Sequence, residues 1–194
     1  MNPFCLTNIP ETAFEETRHP DSRIVKRFLA IVIVVIAVTG IALLFGGHPP
    51  QQQRASKVLV LKTEHRLLLL DESNNVMRTY SIAIGRGGVE PKQRQGDHKS
   101  PEGLYIIDRH KKDSRFHRAL HVSYPNDADR ERAQKLGVDA GGDIMIHGIQ
   151  NGLGWLGPLH RALDWTDGCI AVTDAEIEEI YPAVPDGIPV EIRR

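Results

Sequence analysis

Apolar residues fall in two unlike patterns along this chain. From Phe28 to Phe45 they form an unbroken stretch of 18 residues without a charge. At ~1.5 Å of rise per residue, a helix there covers about 27 Å, close to the thickness of a bilayer's hydrocarbon core. A helix this apolar on every face has no counterpart to bury against in a small soluble domain. The stretch therefore predicts a transmembrane helix over 28–45. It is longer than the apolar core of a cleaved signal, and Gly46-Gly47-His48-Pro49 is a poor cleavage site, so an uncleaved anchor is expected. Arg18, Arg23, Lys26 and Arg27 flank its N-terminal side, and no Lys or Arg follows until Arg54. The positive-inside bias then puts a tail, residues 1–27, in the cytoplasm and everything after the helix outside the inner (cell) membrane, in the periplasm.

Residues 46–56 are rich in Gly, Pro and Gln and read as a linker. From residue 57 to 194 the apolar runs are short. Val58 to Lys62 and Leu67 to Leu70 predict a hairpin, Asp71 to Asn75 a turn, and Val76 to Ile84 a strand with period two at its end. Leu104–Asp108, Ala119–Tyr124 and Ile188–Ile192 predict further strands. Gly85 to Lys99 reads as a loop; no capped helix follows Gly85-Arg86-Gly87-Gly88, which argues against a phosphate cradle. Asp127 to Leu136 is charged on most faces and predicts a surface helix. Thr173 and Glu176 have capping-box spacing and predict a helix to about Tyr181, stopped by Pro182, Pro185 and Gly187. Short strands, Gly and Pro turns and few helices predict a mainly β, sandwich or barrel-like domain with short helices.

A formal net charge of −1, with scattered basic residues, gives no footprint for nucleic acid. The two cysteines, Cys5 and Cys169, fall on opposite sides of the predicted membrane helix and cannot pair. A lone thiol in an exported domain is a candidate reactive group.

Cys169 stands in Asp164-Trp165-Thr166-Asp167-Gly168-Cys169-Ile170-Ala171-Val172, and His147 in Asp143-Ile144-Met145-Ile146-His147-Gly148. The ordinary reading of a lone cysteine is a buried core thiol. Here an imidazole that can take the thiol's proton stands beside a glycine, as does the thiol, and each ends or begins an apolar run. Glycine next to the thiol lets a substrate carbonyl approach main-chain N–H groups.

With Gly96-Asp97-His98-Lys99-Ser100-Pro101-Glu102-Gly103-Leu104-Tyr105 and Leu120-His121-Val122-Ser123-Tyr124-Pro125-Asn126 upstream, these segments resemble, in order, the motifs of the L,D-transpeptidase catalytic domain family, the YkuD-like fold. The resemblance spans roughly residues 57 to 194. It implies a β-rich fold, Cys169 as nucleophile and His147 as general base and acid. Main-chain N–H groups around Gly168 would then hold the oxyanion, and peptidoglycan peptide stems would be the substrate class. A third group must fix the imidazole tautomer; backbone carbonyls, Thr166 and Asp167 are candidates, although Asp167 in Asp-Gly is more commonly a turn residue. His121, Trp155, His160 and Trp165 are candidate substrate-pocket residues, each with an ordinary packing role as the alternative.

Two positions depart from the family pattern: Asp167 replaces a histidine and Ala171 an arginine. That combination resembles a divergent, YafK-like branch implicated in hydrolysing the link between peptidoglycan and a wall-attached lipoprotein, which makes the lipoprotein a further candidate partner. The expected activity is hydrolysis of an amide at diaminopimelate, with cross-linking transpeptidation as the alternative and no cofactor. Two other classes compete. A zinc amidase would draw on the nine histidines, but no His-x-x-x-His on a helix and no His-x-His is present. An inactive wall-binding module would have no need of both Cys169 and His147.

Overall fold

β-branched and leucine-rich runs become strands where one face can be buried. The computed structural model describes residues 53–194 and, nearer the N-terminus, helical residues 23, 26, 30–33 and 36. The chain divides into two compact units, Met1–Pro50 and Gln51–Arg194. Most of the predicted 28–45 span, its tail and much of the linker lie outside the described residues. Among the described residues no helix is long and apolar enough to cross a membrane.

The second unit holds eight strands: β1 (Lys57–Leu61), β2 (Arg66–Leu70), β3 (Val76–Ser81), β4 (Gly103–Ser114), β5 (His117–Val122), β6 (Met145–His147), β7 (Ile170–Ala171) and β8 (Pro189–Arg193). In β1, Val58 and Val60 are fully buried while Lys57, Leu59 and Leu61 are half-buried, the alternation that selects a strand with one face on the core. All eight form one sheet in the order β3-β2-β1-β8-β4-β5-β6-β7. The β1–β8 and β6–β7 pairs are parallel. The other neighbours are antiparallel, including the expected β1–β2 hairpin. Just beyond β3, Ala83 bridges Ala171 and Gly85 bridges Thr166. The chain leaving one edge strand thus reaches the other edge, which draws the sheet toward a barrel and covers edges that would otherwise be open.

One hairpin was not expected. β4 runs on to Ser114, although its outer part, Asp108–Asp113, is almost wholly exposed. Register shifts between Ile107 and Arg109 and between Lys111 and Ser114 interrupt its pairing with β5. Irregularities of this kind bend and twist a strand pair. The charged outer half carries no apolar period, so only pairing with β5 makes it a strand.

Helix α1 (Asp127–Leu136) starts on an Asn126–Asp129 capping box and ends at left-handed Gly137; it buries only Asp129 and Ala133. Helix α2 (Asp174–Ala183) starts on the Thr173–Glu176 capping box and buries Ile177 and Ile180 in the core. Pro182 does not stop it. In the last turn proline removes one backbone bond, and the amide of Val184 closes the helix on the Ile180 carbonyl. The stretch Gly154–Ala162 forms 3-10 turns kinked at Gly157.

Candidate active site

β6 and β7 set the register of the site. Ile146 lies opposite Ile170 and His147 opposite Ala171. Ile146 and Ile170 are fully buried in the core. The alternate residues Met145, His147 and Cys169 therefore face the other side. Continuing the pairing one step puts Cys169 beside Met145, one strand and two residues from His147, or about 8 Å between Cα atoms. His147, Trp165, Thr166, Asp167 and Cys169 all line one cleft of about 460 Å³, together with residues of the β4–β5 hairpin.

His147 is only 2% exposed. Its Nδ1 lies 2.7 Å from the Gly148 carbonyl oxygen. A carbonyl only accepts, so Nδ1 carries the proton and Nε2 is left as the basic atom. The Phe116 ring lies 4.5 Å from the imidazole at a 32° tilt, and Trp165 packs near edge-on at 5.8 Å. Burial pushes the imidazole down to about 4, outweighing the Gly148 bond that favours its charged form. It is neutral at pH 7. Gly148 is itself required by packing, because a Cβ there would sit 2.7 Å from Asp174 Oδ1. That carboxylate accepts from the Ile149 amide and holds the segment after β6 against the start of α2.

The Cys169 thiol donates to the Asp143 carbonyl at 3.5 Å. Burial pushes it up to about 11; the Met145 amide on the sulfur opposes this, while the Asp167 and Asp143 carboxylates add to it. The resting site thus holds a neutral thiol and a neutral imidazole.

Thr166 and Gly168 shape the turn before Cys169. The Thr166 hydroxyl donates to the Cys169 carbonyl at 2.7 Å and accepts the Gly168 amide at 3.2 Å. Of the candidates for fixing the imidazole tautomer, a backbone carbonyl, that of Gly148, does so, and Thr166 clamps the cysteine turn instead. The Gly168 N–H is already engaged, so it is not a free oxyanion donor here. Gly168 has φ +123°, and a Cβ would meet the Lys99 carbonyl at 2.7 Å, so only glycine fits this turn.

Asp167 does not orient His147. Its Oδ1 lies 2.9 Å from Arg86 Nη2 and 2.8 Å from His98 Nδ1. Arg86 and His98 come from the loop after β3; the motif segment around His98 was legible in the sequence, but its pairing with Asp167 was not. That loop is organised by Asp97, whose carboxylate accepts from Lys92 and from the amides of Gln93, Arg94 and Lys99. Burial opposes ionisation of Asp97, yet these bonds prevail and bring its carboxyl down to about 2.

Of the four candidate pocket residues, Trp165 alone lines the cleft. His121 pairs with Asp108 at 2.5 Å and lies 3.8 Å from Asp143. Trp155 is 77% exposed and outside the cleft. His160 accepts from Trp165 Nε1 at 3.3 Å and lines a neighbouring apolar pocket of about 330 Å³, with Trp165 and Gln150 shared between the two. Sequence reasoning missed Phe116, Arg115 and Lys111, because the strand expected over Leu104–Asp108 runs on to Ser114 and turns into β5 through Arg115 and Phe116. Among the described residues, no group of three or more His, Cys, Asp or Glu side chains is placed to hold a metal ion.

Comparison with known proteins agrees with this geometry. The L,D-transpeptidase-like YafK of Escherichia coli (strain K12) is 35% identical over 117 residues, which is 59% of this chain and 40% of that protein. The chain thus spans well under half the length of this relative. The crystal structure of the helical cell shape determining protein Pgp2 from Campylobacter jejuni superposes with a TM-score of 0.55 at 24% identity, over 73% of this chain and 48% of that one. Bd1075 of Bdellovibrio bacteriovorus gives 0.51 at 22% identity over the same shares. At these identities the two structures speak for the fold alone. The model of the L,D-transpeptidase catalytic domain, YkuD, matches residues 55–192, and the chain belongs to that family.

Proposed function

We propose that the 57–194 domain hydrolyses an amide at diaminopimelate in cell-wall peptidoglycan, at a stem peptide or at its link to a wall-attached lipoprotein. The observation that carries this reading is the placement of His147 on β6 and Cys169 immediately before its parallel neighbour β7, both opening into one cleft, with His147 Nε2 left unprotonated. The thiol turns from the Asp143 carbonyl and passes its proton to Nε2 as sulfur bonds to the amide carbon. The imidazolium then protonates the leaving amine as the C–N bond breaks, giving a thioester. Water cleaves the thioester, His147 taking its proton, and the thiol is restored. The Cys169 main-chain N–H is the remaining candidate for the oxyanion.

Hydrolysis is favoured over transfer by the surroundings of the nucleophile. Asp167 is ion-paired with Arg86 and touches His98, and Ala171 is fully buried beside Ala83. The histidine and arginine of the usual family pattern are replaced at those positions, and alanine offers no grip on a carboxylate. The charge-free 28–45 segment supports a membrane-anchored, periplasmic placement. A second reading, transpeptidation, draws on the family itself and on the description of YafK. Incubating the protein with intact sacculi and weighing the products by mass spectrometry separates the two. Released peptide or lipoprotein fragments support hydrolysis, and new diaminopimelate cross-links without release support transfer. Unaltered sacculi overturn both.

A further inference from the structure

The cleft that holds Cys169 and His147 contains four charged side chains: Lys111, Arg115, Asp143 and Asp167. The acids have partners. Asp167 pairs with Arg86 and His98, and Asp143 lies 3.8 Å from His121. Lys111 and Arg115 have no ion-pair partner among the described residues; exposed cations such as Arg78, Arg109 and Lys112 have none either, but Lys111 and Arg115 are the ones that line the cleft.

Arg115 stands on a fixed platform. Its carbonyl accepts the Asn151 amide at 2.9 Å. The Asn151 side chain donates to the Ser114 carbonyl at 3.0 Å and accepts the His117 amide at 2.9 Å. These bonds tie the hairpin tip to the segment that follows β6. The guanidinium carbon is 5.9 Å from the Phe116 ring centre, and that ring lies 4.5 Å from the imidazole of His147. A free guanidinium is therefore held one aromatic ring away from the general base. A cation left unpaired in a substrate cleft on a hydrogen-bonded support is suited to an anion that arrives with the substrate.

We propose that Lys111 and Arg115 form a carboxylate-binding subsite that selects an acyl residue whose side chain ends in a free carboxylate. The inference rests on the amide-cleaving reading above and names its substrate feature. In diaminopimelate the second carboxyl carbon is six bonds from the acyl carbon, about 7 Å when extended. Lys111, Arg115 and Cys169 line the same cleft, so one substrate residue can present its carbonyl to Cys169 and its second carboxylate to the two cations. Arg115 contributes the two-pronged contact and Lys111 a second positive charge.

The test uses the full-length chain with two stem peptides that differ only in whether this second carboxylate is free or amidated. Wild type is expected to cleave the amidated peptide with kcat/KM lowered roughly 10- to 100-fold, chiefly through KM. Lys111→Gln/Arg115→Gln should lose that preference, treating the two peptides alike, and Arg115→Lys should restore part of it. Both side chains are exposed, so thermal midpoints should not move. Cleavage of both peptides at equal rates by wild type overturns the subsite and leaves the activity standing. If neither peptide is cleaved, the activity reading fails, and binding to the Cys169→Ala protein decides the subsite. Weaker binding of the amidated peptide, abolished as a preference by the double substitution, supports it; equal binding or none overturns it.

Discussion

Alkylation of Cys169 offers the sharpest test of the resting site, because a thiol and an ion pair give opposite pH profiles. Burial, with Asp167 and Asp143 nearby, raises the thiol from 9.0 to about 11. Two units correspond to about 3 kcal/mol against the thiolate. At pH 7 the thiolate fraction is then on the order of 10⁻⁴, about a hundredfold below that of an ordinary cysteine. A more basic thiolate is also more nucleophilic, which returns roughly tenfold, so iodoacetamide should react about tenfold more slowly than with an open thiol. Only the thiolate reacts, and its pKa is raised, so the rate should climb about tenfold per pH unit from 7 through 9.5 without levelling. His147 is neutral above about 4 and the thiol's hydrogen bond goes to Asp143. His147→Gln should therefore leave this profile nearly unchanged while lowering turnover ~10²–10⁴-fold. Stopped-time alkylation followed by mass spectrometry measures both proteins. A rate already level by pH 7, or one that collapses in His147→Gln, would refute the neutral-pair description and restore a thiolate–imidazolium resting state.

Two further outcomes follow from the same geometry. The folded-state pKa of His147 is lowered to about 4 from 6.5, so the unfolded chain binds the extra proton between those values. Its contribution is complete above pH 6.5 and is lost as pH falls toward 4, by roughly 3 kcal/mol in all. Denaturant titrations should show that window in wild type and a flatter one in His147→Gln. Thr166→Val removes the bonds to the Cys169 carbonyl and Gly168 amide and leaves a buried N–H unpaired, at about 1–3 kcal/mol. Thr166→Ser should recover most of that stability, and equal stability of all three proteins would show that the clamp carries no load.

What the sequence determined by itself was local or patterned. Asn126 was not singled out, yet the charged run after it did mark α1, because a helix start depends on residues within one turn. The Thr173–Glu176 spacing marked α2 for the same reason, though Pro182 misled about its end. Alternation and turn residues revealed the β1–β2 hairpin, and the order of motifs pointed to the family and to Cys169 and His147. The tertiary structure decided the rest. Pairing with β5 alone turns the charged Asp108–Asp113 stretch into strand, so Phe116, Arg115 and Lys111 reach the cleft from a segment without an apolar period. Asp167 took Arg86 and His98 as partners across a loop, and Gly148 rather than an acid fixed the imidazole tautomer. The proton affinities of Cys169 and His147 depend on which groups surround them and on how much water the fold removes. Such quantities belong to register and burial, which residues distant in sequence create together and no short window of sequence encodes.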